Sequence, residues 1–319
     1  MFRFCRALLL GFWLVVPAVH AQPVFDIPQN TASVSLSQEL EYFIDETGQW
    51  QPESGANAPG PWQRLNDRAG KSNFGFLKHP VWFRVVLRSP VASEWVWVVA
   101  TPQLEWVTWV QQRAGGTLER SEAGLGPMQK QRVPPQRLPA VRLSLAANET
   151  VTVHMRVQSA GLMQVPMTLW EPSAWQEAER NSHALLGAYF GLVIGLLAYN
   201  GFLALRLRDQ AYGYYLGFGL SMATFLLGIT GFGPSFLWSS HALSTNTMLG
   251  VMVTVFSTFT MLFTDSFLRL SRNSPRLHLV LRGTALAWCG VLLLHLWLPA
   301  PTVMNTISLP LALWTSTLI

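Results

Sequence analysis

Five residues in the first half of the chain have side chains suited to holding a polar ligand: Trp82, Arg84, Trp106, Arg132 and His154. An indole offers a broad apolar face, and a sugar ring is apolar between its hydroxyls, so the two stack well. A guanidinium or imidazole at the edge of such a stack supplies hydrogen bonds. Trp95, Trp97 and Trp109 belong to the same aromatic set, and the competing role for any tryptophan on a strand is to fill a core. Beside them stands no pair of carboxylates, no Ser/His/Asp arrangement and no metal-ligand cluster. These residues point to binding rather than catalysis, with no cofactor or metal implied.

The elements that must carry them read as short strands. Val81–Leu87, Glu94–Ala100, Leu104–Gln111, Val141–Leu145 and Val151–Val157 are rich in β-branched and aromatic residues. Val151, Val153, Met155 and Val157 alternate with Thr152, His154 and Arg156, the period of a strand with one buried face. Likewise Trp95, Trp97 and Val99 share a face. Breaks rich in Pro and Gly at Gly55–Pro61, Gly115–Gly116 and Pro134–Pro139 separate these segments. The pattern predicts an antiparallel all-β sandwich over residues 22–172.

Beyond residue 183 the composition changes. Apolar runs at Ala184–Leu205, Ala211–Thr230, Thr247–Phe263 and Leu279–Leu298 are long enough to cross a bilayer as helices, and a fifth begins near Thr302. The segment 173–183 is charged and lacks Gly, so it reads as a juxtamembrane helix running into the first span. Arg206 and Arg208 lie in one gap between spans, and Arg269, Arg272, Arg276 and Arg282 lie around another. The alternate gaps, Gly231–Asn246 and Pro299–Thr302, carry no Lys or Arg. Positive loops stay on the cytoplasmic side, so this asymmetry puts the sandwich outside.

Residues 1–21 agree with that orientation. Arg3 and Arg6 precede the apolar run Ala7–Val16, and Val19-His20-Ala21 offers small residues before a cut at Gln22, the form of a cleavable secretory signal. Residues 22–180 hold 14 Lys and Arg against 15 Asp and Glu. The pI near 9.6 therefore follows from topology and excludes a nucleic-acid surface. The two cysteines, Cys5 and Cys289, leave the exported half without a disulfide.

In the membrane half, Gly187, Gly191 and Gly195 recur at four-residue spacing, as do Gly213, Gly217 and Ser221. Small residues four apart share a helix face and let backbones approach. The expectation is a tight hairpin of the first two spans, with Asn200 bonding between helices. His295 is placed near the outer interface, and Trp170, Trp175, Trp238 and Trp297 fall at span ends as belt residues.

Taken in order, these blocks resemble a known family. Gly187-x-Tyr189-x-Gly191, Tyr199-Asn200, Arg208-Asp209 with Tyr212 and Tyr215, and Gly231-Phe232-Gly233 resemble the bacterial seven-transmembrane receptors with diverse intracellular signalling modules. Val81-Trp82-Phe83-Arg84, Leu104-Glu105-Trp106-Val107 and the Arg132–Pro135 stretch are similar to that family's type-2 extracellular domain. The resemblance implies a periplasmic jelly-roll-like sandwich on a polytopic α-helical bundle in the bacterial inner membrane. It also implies a glycan or other small-molecule ligand and a cytoplasmic output of diguanylate cyclase or histidine kinase type. A homodimer follows if the output works in pairs. The chain carries no cyclase or kinase signature, and its fifth span stops at Ile319, so it reads as the sensor and transmembrane portion of a receptor. Two alternatives stand beside it: an intramembrane or envelope-sugar-processing enzyme, and a transporter accessory subunit that docks substrate on the sandwich.

Overall fold

The computed structural model describes residues 24–317 apart from 55–57, 59, 69–71, 114, 127–129, 131–135, 239–244 and 299–302. Residues 1–21, expected to be a secretory signal, the Pro-rich break at 134–135 and the candidate ligand residue Arg132 lie outside these.

Thirteen strands precede the helices among the described residues: β1 Val24–Asp26, β2 Ser33–Ser35, β3 Glu41–Ile44, β4 Gln63–Arg64, β5 Asn73–Phe76, β6 Val81–Arg88 and β7 Ser93–Val99; then β8 Trp106–Arg113, β9 Leu118–Ala123, β10 Ala140–Leu145, β11 Thr150–Gln158, β12 Leu162–Gln164 and β13 Met167–Trp170. The larger sheet runs β4-β3-β6-β11-β8-β9, with β1 alongside β6; a smaller one runs β10-β7-β13-β2, and β12 pairs with β5 as a separate two-stranded ribbon. Apart from the consecutive pairs β3–β4 and β8–β9, the strands paired in these two sheets are distant in the chain, so the chain crosses repeatedly between sheets as in a jelly roll. Alternation decides which side chains fill the space between them. Phe83, Val85 and Leu87 of β6 and Val151, Val153, Met155 and Val157 of β11 meet Trp95, Trp97 and Val99 of β7 across one core. Trp109 is also fully buried there, so Trp95, Trp97 and Trp109 are core residues.

The strand β9 carries charge at Glu119, Arg120 and Glu122 and is mostly exposed. It shows no apolar alternation because only one end of it, Ala123, reaches the core.

Glu171 ends β13 and caps the first helix, α1 (Pro172–Leu207), accepting hydrogen bonds from the backbone N–H groups of Ser173 and Ala174. Pro172 at its first turn is preorganised for that role. At 36 residues the helix extends about 54 Å, well beyond the roughly 30 Å hydrocarbon core. The helix is therefore longer than a single crossing requires, and Trp175 in its first turn packs against the sandwich. Arg208 in the left-handed conformation terminates α1, and the Asp209 carboxylate caps α2 (Gln210–Ile229) by accepting from Ala211 N–H at 2.9 Å. The Arg-Asp pair is thus a two-residue helix–helix turn. A π-turn at Gly233–Leu237, α3 (Thr245–Phe267), one turn of α4 (Leu270–Asn273), α5 (Pro275–Trp297) and α6 (Leu309–Ser316) complete the bundle. Among the described residues four helices are long and apolar enough to cross a membrane.

Several expectations for the bundle are corrected by its packing. A Cβ built on Gly187, Gly191, Gly195 or Gly213 meets no described atom within 4 Å, so no described helix packs closely on these positions. Gly217 faces α3 instead, where a Cβ would stand 2.3 Å from the Phe259 ring. The contact between α1 and α2 is made through Gly219, against which Leu197 packs. Helical period identifies a face of small residues but not the helix that faces it. Asn200 donates to the Leu196 carbonyl on its own helix at 2.8 Å rather than across a helix pair. His295, in the last turn of α5, is 2% exposed and packs inside the bundle against Gly250 of α3, 3.4 Å from Ser308 Oγ. Trp170 and Trp175 pack with each other on Val96, Val98 and Leu138 of the sandwich rather than on lipid.

At the Arg-rich end of the bundle, Asp265 of α3 is 3% exposed. It holds His278 Nδ1 at 2.6 Å and accepts from Arg282 Nε at 2.8 Å, both on α5. The acid removes its own desolvation cost by pairing twice and so ties α3 to α5.

Candidate functional site

The outer face of the larger sheet carries what the core alternation leaves over. Pairing aligns Glu41, Arg84, His154, Val110 and Arg120 in one row across five strands. The next row is Phe43, Trp82, Arg156, Thr108 and Glu122. Beyond it, Gln158 lies opposite Trp106. The register thus brings Trp82, Arg84, Trp106 and His154 onto a single face.

Half of that face is closed. The β3–β4 connection folds back over it, with Trp50 4.8 Å from Trp82 and Trp62 4.7 Å from Phe43, ring centre to ring centre. His154 lies within 5.9 Å of Trp50 and 6.2 Å of Trp62. Asp45 holds the connection in place: its carboxylate accepts from the backbone N–H groups of Thr47, Gly48 and Trp50 at 3.0–3.1 Å. Burial works against its ionisation, but the Thr47 hydroxyl and these backbone N–H groups outweigh it and hold the carboxyl below the ordinary aspartate range. Trp82 is left 2% and His154 8% exposed. Arg84 donates to Glu41 at 2.7 Å and lies 4.1 Å over the Trp62 ring. Trp82, Arg84 and His154 therefore form an aromatic plug, not an open platform. Burial, with the Arg84 charge adding to it, pushes the His154 imidazole down to about 4.

The other half is open. A cavity of about 400 Å3 is lined by Trp106, Glu105, Arg156, Gln158, Lys78 and Phe76, among others. The Trp106 indole rests on Gly126, where a Cβ would fall 2.4 Å from the ring, and Lys130 Nζ stands 4.8 Å from its centre. Gly126 is required by this stacking. Arg156 is half-buried between the plug and the cavity, and burial lowers its pKa, with Asp45 opposing and Arg120 reinforcing. The Glu105 carboxylate accepts from Ala160 N–H at 3.2 Å, which fixes one wall to the β11–β12 turn. Arg156 and Glu105 were not singled out from sequence. Arg156 shows the period of a polar strand face, but nothing in the chain order tells that its neighbour across the sheet is Trp82. Trp50 and Trp62 sit in irregular chain and carry no periodic signal at all. Among the described residues no group of three or more His, Cys, Asp or Glu converges to hold a metal ion.

The sandwich also touches the bundle away from α1. Gln103 Nε2 donates to the Ile229 carbonyl at 2.8 Å. Gly231, with φ +83°, lies where a Cβ would be 2.8 Å from both the Arg137 carbonyl oxygen and Pro102 Cβ. The Gly-Phe-Gly segment after α2 is therefore a docking turn, small because the sandwich sits on it.

Comparison with known families returns two matches. Residues 37–171 match the 7TMR-DISM extracellular 2 family model, and residues 182–319 match the model for 7TM diverse intracellular signalling. No curated protein matches the chain.

Proposed function

The chain belongs to the seven-transmembrane receptors with diverse intracellular signalling modules, and we propose that it binds a carbohydrate-like small molecule in the Trp106–Arg156 cavity. It is a membrane sensory receptor with an extracellular sensor domain. The observation that carries the ligand reading is the half-exposed Trp106 indole in a 400 Å3 cavity that also presents Arg156, Glu105, Gln158 and Lys78. One apolar ring face with charged and amide groups around it suits a polyhydroxylated ring. Trp82, Arg84 and His154 support the site from below, because Arg156 sits beside Trp82 in the sheet.

The route outward is short. Gln158–Ala160 form one cavity wall, β12 and β13 follow, and Glu171 caps α1 directly after β13. A ligand that shifts the β11–β12 turn moves the strand on which α1 hangs. The docked turn at Gly231 resists that motion from the second helix, so binding changes the packing of α1 and α2 relative to the sandwich. We place the domain in the periplasm and the bundle in the bacterial inner membrane, working as a homodimer. The signal goes to a cytoplasmic module of cyclase or kinase type, and the residues here act by binding rather than catalysis.

The test is a glycan and small-metabolite panel titrated against the detergent-solubilised chain, read by thermal shift and tryptophan fluorescence. A ligand that stabilises the wild type and loses its effect in Trp106→Ala supports the reading. A panel with no hit, or hits indifferent to Trp106 and Arg156, removes it.

A further inference from the structure

A second cavity of about 350 Å3 lies between the outer face of the smaller sheet, the exposed first turns of α1 and the turn after α2. Arg137, Arg142, Gln176, Glu179, His183 and Phe236 are among the residues lining it. Arg142 projects from β10 beside Val96, the strand face that α1 covers. Arg137 contributes twice: its carbonyl oxygen touches the docking turn at Gly231, and its side chain enters the cavity.

Two polar atoms here, Arg137 Nε and His183 Nε2, are buried without a hydrogen-bond partner among the described residues. Orphaned buried donors are costly and point to a missing acceptor. Glu179 does not fill that role. It acts on Arg137 only through space, and its Oε1 stays 4.0 Å from His183 Nε2. Burial disfavours the Arg137 charge more than Glu179 favours it. The His183 ring is held edge-on to Phe232 at 5.1 Å. The surroundings thus offer two guanidiniums and an imidazole against one carboxylate, at the level where α1 enters its apolar stretch.

We infer that this cavity binds a phosphate-bearing anion, and that the bound anion clamps the sandwich to the bundle. A phosphate group supplies several acceptor oxygens, so one group can accept from Arg137, Arg142 and His183 together. Arg137 comes from the segment leading into β10, Arg142 from β10, the edge strand of the smaller sheet, and His183 from α1, with Phe236 of the docking turn closing the cavity. The anion therefore ties the three elements whose relative positions a signal must change. The same chemistry is carried by an anionic phospholipid headgroup at the outer leaflet and by free phosphate. This site is separate from the Trp106 cavity and stands whether or not that one binds a sugar.

The experiment uses the full chain and two forms of the probe. In zwitterionic detergent, inorganic phosphate is titrated at fixed ionic strength, so that general screening is constant. In parallel, the chain is placed in nanodiscs of phosphatidylcholine with or without phosphatidylglycerol. The unfolding midpoint should rise by a few degrees with one or both probes, because a ligand that binds only the folded form stabilises it. A response to phosphate assigns a free anion, and a response to phosphatidylglycerol alone assigns a headgroup. Arg137→Gln should abolish the rise, with exposed Arg142→Gln as the second variant if the first folds poorly. Glu179→Gln should tighten phosphate binding severalfold by removing the competing carboxylate. No rise in the wild type with either probe overturns the inference without recourse to a variant. An equal rise in wild type and variants overturns it as well.

Discussion

The side-chain amide of Gln103, on the turn between β7 and β8, donates to the carbonyl of Ile229, the last residue of α2. The bond spans 126 residues of sequence and satisfies a carbonyl that the helix end leaves without an intrahelical donor. With Gly231 two residues on, it attaches the sensor domain to a second helix besides the one it continues into.

Gly231→Ala should loosen this attachment. The residue has φ +83° and its Cβ would meet Arg137 O and Pro102 Cβ at 2.8 Å, so alanine adds backbone strain to a steric clash with backbone and a rigid ring. The cost should be about 1–3 kcal/mol, confined to the junction. Hydrogen exchange should speed up at residues 229–233 while the sandwich core stays protected. Unchanged exchange there would show that the turn does not bear on the sandwich.

His154 should make the sandwich acid-sensitive. Burial, reinforced by Arg84, lowers its pKa from 6.5 to about 4 in the folded chain. The unfolded chain then binds a proton that the folded one does not, so stability falls as pH drops from about 6.5 towards 4. The full effect of such a shift is roughly 3 kcal/mol. Denaturation midpoints measured from pH 7.5 to 4.5 should show this slope, and His154→Phe should flatten it. A slope that survives the substitution assigns the acid response elsewhere.

In the sensing cavity, Trp106→Ala should remove ligand-dependent stabilisation while leaving the fold intact, since the half-buried indole stands on the outer sheet face and not in the core. Arg156→Gln should weaken binding by about tenfold or more, the effect of losing a charged hydrogen bond. It should also perturb the emission of the neighbouring Trp82 cluster. Isothermal titration with the best ligand from the panel checks both.

The glycines of the bundle should separate sharply. Gly217→Leu drives a side chain into the Phe259 ring and should destabilise the α2–α3 pair by about 1–3 kcal/mol. Gly191→Leu meets no described atom within 4 Å of its Cβ and should be close to neutral. Thermal denaturation in detergent distinguishes them, and equal costs would contradict the packing described.

Asp265→Asn should weaken the α3–α5 tie. It leaves Arg282 and His278 facing a neutral amide, with Arg282 partly exposed. Full removal of a buried partner costs about 3–5 kcal/mol, and the exposure of Arg282 reduces that to roughly 1–3 kcal/mol. A combined Asp265→Asn, Arg282→Gln variant should recover part of the loss, and failure to recover any would mean that the two residues do not act as a pair.

Much of the architecture was legible because it rests on local chemistry. Alternation in β6, β7 and β11 told which side chains share a face, since successive residues of a strand must point to opposite sides. Apolar runs and the placement of six arginines told which segments enter a bilayer and in which direction, since burying charge in lipid is costly. The candidate residues Trp82, Arg84, Trp106 and His154 do share a sheet face, but their accessibility depends on Trp50 and Trp62, which reach them from an irregular connection.

By itself, then, the sequence determined the faces: which residues lie on the core side of a strand, which helices are apolar, which loops are charged. Only the tertiary structure decided what lies opposite each face. It closed three of the candidate ligand residues under a tryptophan plug and left Trp106 beside open space. It turned Gly217 toward Phe259 while the Gly187–Gly195 ladder faced no described neighbour, and it buried His295 against Gly250. The physical reason is common to all of these. A period of 2 or 3.6 is set by bonds within one segment, whereas the partner across a face is supplied by chain far away, and no local pattern encodes the meeting.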